Sequence, residues 1–519
     1  METAAPTSSR KHRRRVGEVT VTAALAAMLI ACHLMFFFWP FRYRLVHPLL
    51  ERTFRSKVEV RKYHRTYFPH PGFVAEDITF YRHGDTQIPP LATVTRMTVV
   101  GTWTTLIFHP HRLFEIKLDG LHVQIPPPGT KARGMDFDQG VIDSSQSKMQ
   151  IQTIVADHTT LDFLRHGQTP LRFNFAALQI HDVRANQALT FAARVETAKP
   201  RGLVLANGSL GPFRTNAYGA TPMNGTYSLV EGDLKGIDGI SGNAHASGHF
   251  SGIFSRIEIA GDASIPDFRA GNAHAARIDA DYRLAVSGVT SDVQIEDAQV
   301  RTGNSLITAS GSVTGSPKKV AVTFATRNSH IEDLLTMVEQ SPPAVAGLAS
   351  FNASADFSDG PGKFLQRLTL KGQASVDQLR FVEDGTQQQM DAFSARERTD
   401  SGAGAKATQP DDPPEVFASA SSHTRFEHGM AYFPDILVTV PGASVRLQGT
   451  FNLLNTQIHL TGTADLQRSL SQATSGWKSV LLKPLNPFFH HKGQGAVVSV
   501  AVTGTAQHPK IGQNVLHDK

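Results

Sequence analysis

The segment Ile257-Glu-Ile-Ala-Gly-Asp-Ala-Ser-Ile265 places apolar or small residues on alternate positions, with Gly261 in phase with them. The same nine-position pattern returns as Leu368-Thr-Leu-Lys-Gly-Gln-Ala-Ser-Val376 and as Val445-Arg-Leu-Gln-Gly-Thr-Phe-Asn-Leu453. Looser copies run from Ile307 to Val313, Ile458 to Leu466 and Val498 to Gly504. Side chains alternate across a strand, so each copy reads as a strand with one buried and one wetted face. The glycine falls on the buried face, where it weakens the strand and marks a bend or a close approach of another group. Sheets that must curl use that device. Uneven spacing of the copies argues against a fixed-period solenoid and for a meander with variable loops. The expected fold is mainly β: a long curled antiparallel sheet forming a groove, with one N-terminal transmembrane helix and a few short helices. The competing expectation is the interior of one or more β-sandwiches, which show the same alternation. Against it stand the in-phase glycines and alanines, which leave shallow surfaces, and the tendency of very long open sheets to curl.

Composition supports a strand-and-turn protein. The 519 residues include Gly 42 and Pro 28, Phe 31 against Trp 3 and Tyr 8, and the mean hydropathy is −0.19. The formal net charge of +6 is unevenly distributed. Residues 1–65 hold thirteen Lys or Arg against four acids, so the rest of the chain is slightly acidic and offers no basic face for nucleic acid. The basic residues flank an apolar segment, where they would meet anionic lipid head groups.

That segment, Val19 to Trp39, has 21 residues with no Asp, Glu, Lys or Arg. At about 1.5 Å per residue it matches the roughly 30 Å hydrocarbon core of a bilayer. It ends in Phe36, Phe37, Phe38, Trp39 and Pro40, unlike the small residues of a cleavage site, and so reads as a retained anchor. The short Arg-rich tail is expected in the cytoplasm and the long body on the far side, the periplasm in a diderm bacterium. The lone cysteine, Cys32, lies inside this segment and precludes an intramolecular disulfide. Asn207, Asn224 and Asn352 begin glycosylation sequons and read instead as polar turn residues.

Beyond the anchor, Pro48 is expected to open a short amphipathic helix with Leu49, Leu50 and Phe54 on one side, before extended structure begins at Val58 and Val60. Further extended stretches are expected at Ile78–Tyr81, Val94–Val100, Phe114–Leu118 and Leu121–Ile125, with turns at Pro71-Gly72, Pro89-Pro90 and Pro126–Gly129. Ile331, Leu334, Leu335 and Val338 have helical spacing, with Ser329 as the candidate cap and Pro342-Pro343 as the stop. A second helix is expected over Leu470–Leu482. Thr399–Glu415 reads as a linker. The organisation is thus a basic tail (1–18), an anchor (19–39), an N-terminal region (40–200), a central β-rich region (201–398), the linker (399–415) and a C-terminal region (416–519).

No phosphate loop, dinucleotide fingerprint, nucleophile elbow or HExxH motif is present. The nearest approach to catalysis is His158-Thr-Thr-Leu-Asp162, an HxxxD spacing that lacks the doubled histidine and following glycine of acyltransferases. His109 with His111, and His490 with His491, are two-ligand pairs short of what zinc requires. Asp136 and Asp138 read as loop carboxylates. No catalytic residue, metal site or cofactor is expected. The expected site is the apolar face itself, lined by Ile257, Ile259, Leu368, Leu370, Val445, Leu447, Phe451, Ile458 and Leu460.

Several segments resemble the AsmA-like family of bacterial envelope proteins. Leu437-Val-Thr-Val-Pro-Gly-Ala-Ser-Val-Arg-Leu-Gln-Gly-Thr-Phe451 is similar to one family signature, and Trp477-Lys-Ser-Val-Leu-Leu-Lys483 with Asn486-Pro-Phe-Phe489 to another. Val502-Thr-Gly-Thr-Ala-Gln-His-Pro-Lys-Ile-Gly512 is similar to the family's closing stretch. Upstream, Gly211-Pro-Phe213, Thr221–Tyr227, Ile265–Phe268 and the tail, anchor and Pro71-Gly72 fit the same group, so the resemblance covers nearly the whole chain. Trp477 stands where the family has Gly, and Asn486 where it has Asp. The resemblance implies a single-pass inner-membrane protein with a periplasmic body, implicated in outer-membrane biogenesis and phospholipid transport. Larger relatives, the TamB-like and chorein-type bridge proteins, are long β-grooves with an oily lumen. Implied partners are membrane phospholipid and other envelope proteins. The alternative is a structural or assembly factor whose β core packs on itself.

Overall fold

The computed structural model describes residues 28–29, 33, 39–54, 57–81, 90–108, 112–125, 150–165, 168–184, 187–198, 200–212, 214–237, 239–271, 273–315, 318–337, 343, 345–358, 364–382, 417–440, 443–466, 496–505 and 508–512. The chain is mainly β, and its strands belong to one long sheet that is not closed. It divides into two compact units, residues 1–161 with 180–186 and residues 162–179 with 187–519. Among the described residues no helix is long and apolar enough to cross a membrane; most of Val19–Trp39 lies outside them. The Thr399–Glu415 linker, the Leu470–Leu482 helix, the two His pairs, Asp136 and Asp138 also lie outside the described residues.

The first unit contains helix α1 (Tyr43–Phe54) and an antiparallel meander of β1 (Val58–Thr66), β2 (Gly72–Phe80), β3 (Ala92–Val100) and β4 (Arg112–Ile125), with the short helix α2 (Trp103–Phe108) between the last two. Its core is dense. Val58, Phe73, Ala75, Ile78, Val94 and Val99 are each at most 4 % exposed. In β2 the inward residues are Phe73 and Ala75, then Ile78 and Phe80, so the period of two skips a beat at Asp77. Asp77 has φ 53° and is passed over in the pairing with both neighbours without a shift of register, a local twist of the backbone that an aspartate tolerates better than a branched residue does.

Three expectations are corrected in this unit. Helix α1 begins at Tyr43, before Pro48, because Val46 and Leu50, four apart on one face, reach the core and hold the helix together across the proline. Leu49 is instead 46 % exposed. The stretches Phe114–Leu118 and Leu121–Ile125 are one strand, since Gly120 at φ +63° lets β4 continue through an irregularity instead of turning.

The second unit is a longer meander. It contains β7 (Leu189–Ala198), β8 (Arg201–Leu210), β9 (Pro222–Asp233), the two-residue β10 (Ile240–Ser241), β11 (Asn243–Ile253) and β12 (Arg256–Ala270). It continues with β13 (Ala276–Val286), β14 (Val293–Thr302), β15 (Ser305–Gly315), β16 (Lys318–His330), β17 (Val345–Ser358) and β18 (Leu368–Phe381). It ends with β19 (Ala418–Glu427), β20 (Met430–Val440), β21 (Ala443–Asn452), β22 (Gln457–Leu466), β23 (Ala496–Thr505) and β24 (His508–Gly512). From β11 to β24 each strand pairs antiparallel with the next. β7, β8 and β9 do the same, and β9 pairs with β11. All six copies of the apolar-glycine pattern are strands of this meander. The strands β5 (Gln150–Arg165) and β6 (Gln168–Val183) contribute residues to both units.

Two further expectations change here. Helix α3 (Ile331–Thr336) exists, but Ser329 does not cap it: β16 runs on to His330, and Ser329 is buried with its hydroxyl against that of Thr326. Asn207, Asn224 and Asn352 are not in turns. They lie within β8, β9 and β17, where they are exposed on the polar face.

Candidate functional site

Antiparallel partners directly opposite one another point to the same side of a sheet, so the register alone shows which residues share a face. Starting from Ile259, the row runs one way through Phe250, Gly225 and Gly208 to Phe191. The other way it passes Leu284, Ile295, Gly311, Val322 and Ala355 to reach Leu370. From there it continues through Phe426, Ala431, Phe451, Ile458 and Gly504. No polar side chain interrupts it. A second row, two residues away, joins Ile257 through Val286, Val293, Val313, Val320 and Phe357 to Leu368. Leu460 lies opposite Gly449, Leu447 between Ile436 and Gly462, and Val445 between Val438 and Ala464. All nine sequence-predicted lining residues are therefore on one face of the second unit.

Their exposure is informative. Each of the nine is partly buried, neither sealed like the core of the first unit nor bare. Neighbours along the row and across strands cover their flanks, while the outer atoms remain accessible. Other residues of the same face are buried: the small Ala353 and Ala431, and the rings of Phe250 and Phe426, which their strand neighbours cover. The opposite face is charged. Arg283 meets Asp297 at 3.2 Å, Arg256 meets Glu296 at 2.9 Å, Arg425 meets Glu427 at 2.7 Å, and Arg301 pairs with Asp281. Arg277 pairs with Asp279 at 2.8 Å, and its guanidinium, with the Ser264 hydroxyl, holds that carboxyl below its ordinary range. Exposed pairs of this kind contribute little stability. Their effect is to keep one side of a very long sheet wetted.

One row carries polar tips onto the apolar face. Tyr227, Gly248, Gly261 and Tyr282 lie directly opposite one another on β9, β11, β12 and β13. With no side chain on the two central strands, the tyrosines lean across the gap and their hydroxyls meet at 2.5 Å. A Cβ on Gly261 would stand 2.2 Å from the Ser247 carbonyl oxygen and 2.7 Å from the Tyr227 hydroxyl. Gly261→Val is accordingly expected to cost about 1–3 kcal/mol and to part the hydroxyls, read as a lower midpoint in denaturant together with a changed tyrosine absorption. Burial pushes the pKa of both phenols up from 10.0. Above pH 10 the unfolded chain releases protons that these native tyrosines keep, so stability falls with rising pH from that point, having been unaffected below it. Tyr227→Phe should flatten that alkaline loss in pH-dependent melting.

The turn between β11 and β12 is fixed by rings. Phe254 stacks on Phe163 at 5.6 Å, Tyr218 approaches Phe254 at 6.2 Å, and Phe163 meets Phe173 edge-on at 5.7 Å. The HxxxD residues each have partners of their own. His158, at φ 49°, contacts Asp119 at 3.0 Å, and the buried Asp162 carboxylate accepts two bonds from Arg172 at 2.7 and 2.8 Å. Among the described residues no three His, Cys, Asp or Glu side chains are grouped to hold a metal ion. Sequence reasoning missed the tyrosine pair, because residues 55 apart meet only through the register of four strands. It also missed a cavity in the first unit, lined by Arg42, Arg44, Arg61 and Arg65, whose residues it had counted only as charge. No protein-family description and no curated protein matches this chain.

Proposed function

We propose that this chain is an AsmA-like, inner-membrane-anchored periplasmic protein whose apolar face curls into a groove that shields phospholipid acyl chains, supporting outer-membrane biogenesis. The observation that carries the reading is the unbroken apolar row from Phe191 to Gly504, with the nine sequence-predicted lining residues of that face only partly buried and the reverse face charged. An acyl chain laid on that face is kept from water at about 0.8 kcal/mol per CH₂. Rows recur roughly every 6.7 Å along each strand and about 4.8 Å from strand to strand, so successive positions are chemically alike. A chain shifted by one position exchanges one hydrocarbon contact for another. Movement along the face is then passive, with its direction set by supply and demand at the two ends. Val19–Trp39 supplies the attachment to the membrane that holds the lipid.

The test is a map of contact. A phospholipid with a photoreactive acyl tail, added to membranes containing the full chain, should label Leu370, Phe451 and Ile458 and leave Lys371, Thr450 and His459 on the reverse face unlabelled. Equal labelling of both faces, or none, would reject the groove and favour an assembly factor whose β core packs on itself.

A further inference from the structure

Within the first unit an open cavity of about 790 Å³ lies between the first turn of α1 and strand β1, lined by Arg42, Arg44, Arg61 and Arg65 with Tyr43 and Tyr63. Among the described residues its lining holds no acid, although Asp77, outside the lining, pairs with Arg61 at 3.5 Å. Like charges around one concavity repel one another, and an anion seated among them removes that repulsion. Guanidinium groups suit phosphate in particular, because their paired N–H groups match its oxygens. The helix adds to this. α1 has twelve residues and no acid in its first turn, so the positive end of its dipole has no carboxylate to complement it.

The surroundings identify the source of the phosphate. Arg42 follows Trp39, the last residue of the apolar segment, by three positions, within about 11 Å of extended chain. Arg42 Nε donates to the Trp39 carbonyl at 3.2 Å, and the Tyr63 hydroxyl donates to the Phe41 carbonyl at 2.7 Å, so the cavity wall is tied to the chain leaving that segment. Trp39 itself is 1 % exposed and packs against Tyr67 and Trp103 at 4.7 and 5.7 Å, which fixes the segment's end to the unit. Unburied apolar groups lie in the lining and close to it along the chain: Leu45 of the lining is 52 % exposed, Leu49 one turn further along α1 46 %, and Phe68, three residues after Arg65, 87 %. Arginines beside exposed Leu and Phe at the end of an apolar segment match the boundary between head groups and acyl chains.

We propose that this cavity binds the phosphate of an anionic glycerophospholipid in the leaflet that Val19–Trp39 enters. The inference rests on the anchor reading and is independent of the apolar face of the second unit. The site holds the unit against the bilayer at the level where lipid is taken up or released.

The experiment uses the full chain in phosphatidylcholine vesicles, with tryptophan emission quenched by brominated phosphatidylglycerol or brominated phosphatidylcholine. Phosphatidylglycerol should quench at a lower mole fraction, and Arg44→Gln with Arg61→Gln should reduce that preference about fivefold for each arginine removed. Both arginines are exposed, so the core survives the changes; near-ultraviolet dichroism checks this, and Arg65→Gln should act in the same direction. Equal quenching by the two lipids in the unaltered protein would overturn the proposal, as would variants that keep the full preference. Relief of quenching by excess inorganic phosphate would overturn the lipid source and mark a site for free phosphate. Leu370→Glu should leave the preference intact, so failure here and failure of the groove can be told apart.

Discussion

Leu370→Glu is expected to give a folded protein that has lost most of its co-purifying phospholipid. Leu370 lies opposite Ala355 on β17 and Phe426 on β19, near the middle of the longest apolar row. Its side chain is only partly buried, so a glutamate there can turn its carboxylate to water, and the strand pairing need not change. An acyl chain cannot cross the same place without stripping that water. A dozen methylenes kept from water amount to about 10 kcal/mol before the losses of immobilisation, and a carboxylate desolvated beneath them removes several of these. Leu447→Glu, on β21 two strands beyond Phe426 and on the same face, should act alike. The control is the adjacent residue. Lys371→Glu places the same carboxylate, with a larger charge change, on the reverse face and should leave the lipid content unaltered. Phosphate assay and mass spectrometry of lipid extracted from the unaltered protein and the three variants, each purified at full length, decide the matter. Equal lipid in the unaltered protein and in Leu370→Glu and Leu447→Glu would mean that the apolar face carries none.

What the sequence disclosed was what depends on neighbours two residues away. Ile257, Ile259 and Gly261 announce a strand and its inward side because the period of two is a property of the local chain. Once six such segments pair with their neighbours, their apolar sides fall together, since the alternative would turn each one toward water. Register is another matter. That Tyr227 and Tyr282 meet across Gly248 and Gly261 depends on hairpin lengths and on the bulge in the pairing of β9 with β11 between Ala244 and Ala246, none of which has a local signature. Phase was lost at two residues of the first unit that entered the left-handed region. Asp77 shifts the inward side of β2 from odd to even numbers, and Gly120 carries β4 through a point that reads as a turn. Helix α1 was misplaced because Pro48 outweighs Val46 and Leu50 in any local reading, whereas their packing on the strands of the first unit decides the outcome. The arginine cavity escaped for a related reason: Arg42 and Arg44 are brought to Arg61 and Arg65 by the packing of α1 on β1.

A second large effect distinguishes a filled interior from a face kept open. Ile78 is 1 % exposed within the first unit, surrounded by Val58, Val94 and other buried residues. Ile78→Ala is expected to cost about 2–5 kcal/mol, because it removes buried methylenes and leaves a space that rigid neighbours cannot fill. Leu447→Ala is expected to cost about 1 kcal/mol, since its side chain is only partly removed from water and its loss leaves a dent and not a cavity. Hydrogen exchange read by mass spectrometry reports the opening of each strand separately, so the two changes can be compared inside one molecule without assuming that it unfolds in a single step. Faster exchange should be confined to β1–β4 in the first variant and be slight in β20–β22 in the second. A cost at Leu447 equal to that at Ile78 would mean that the apolar rows are already covered. The charged reverse face and the glycines would then be features of a packed sandwich, and the room proposed for acyl chains would be occupied by protein.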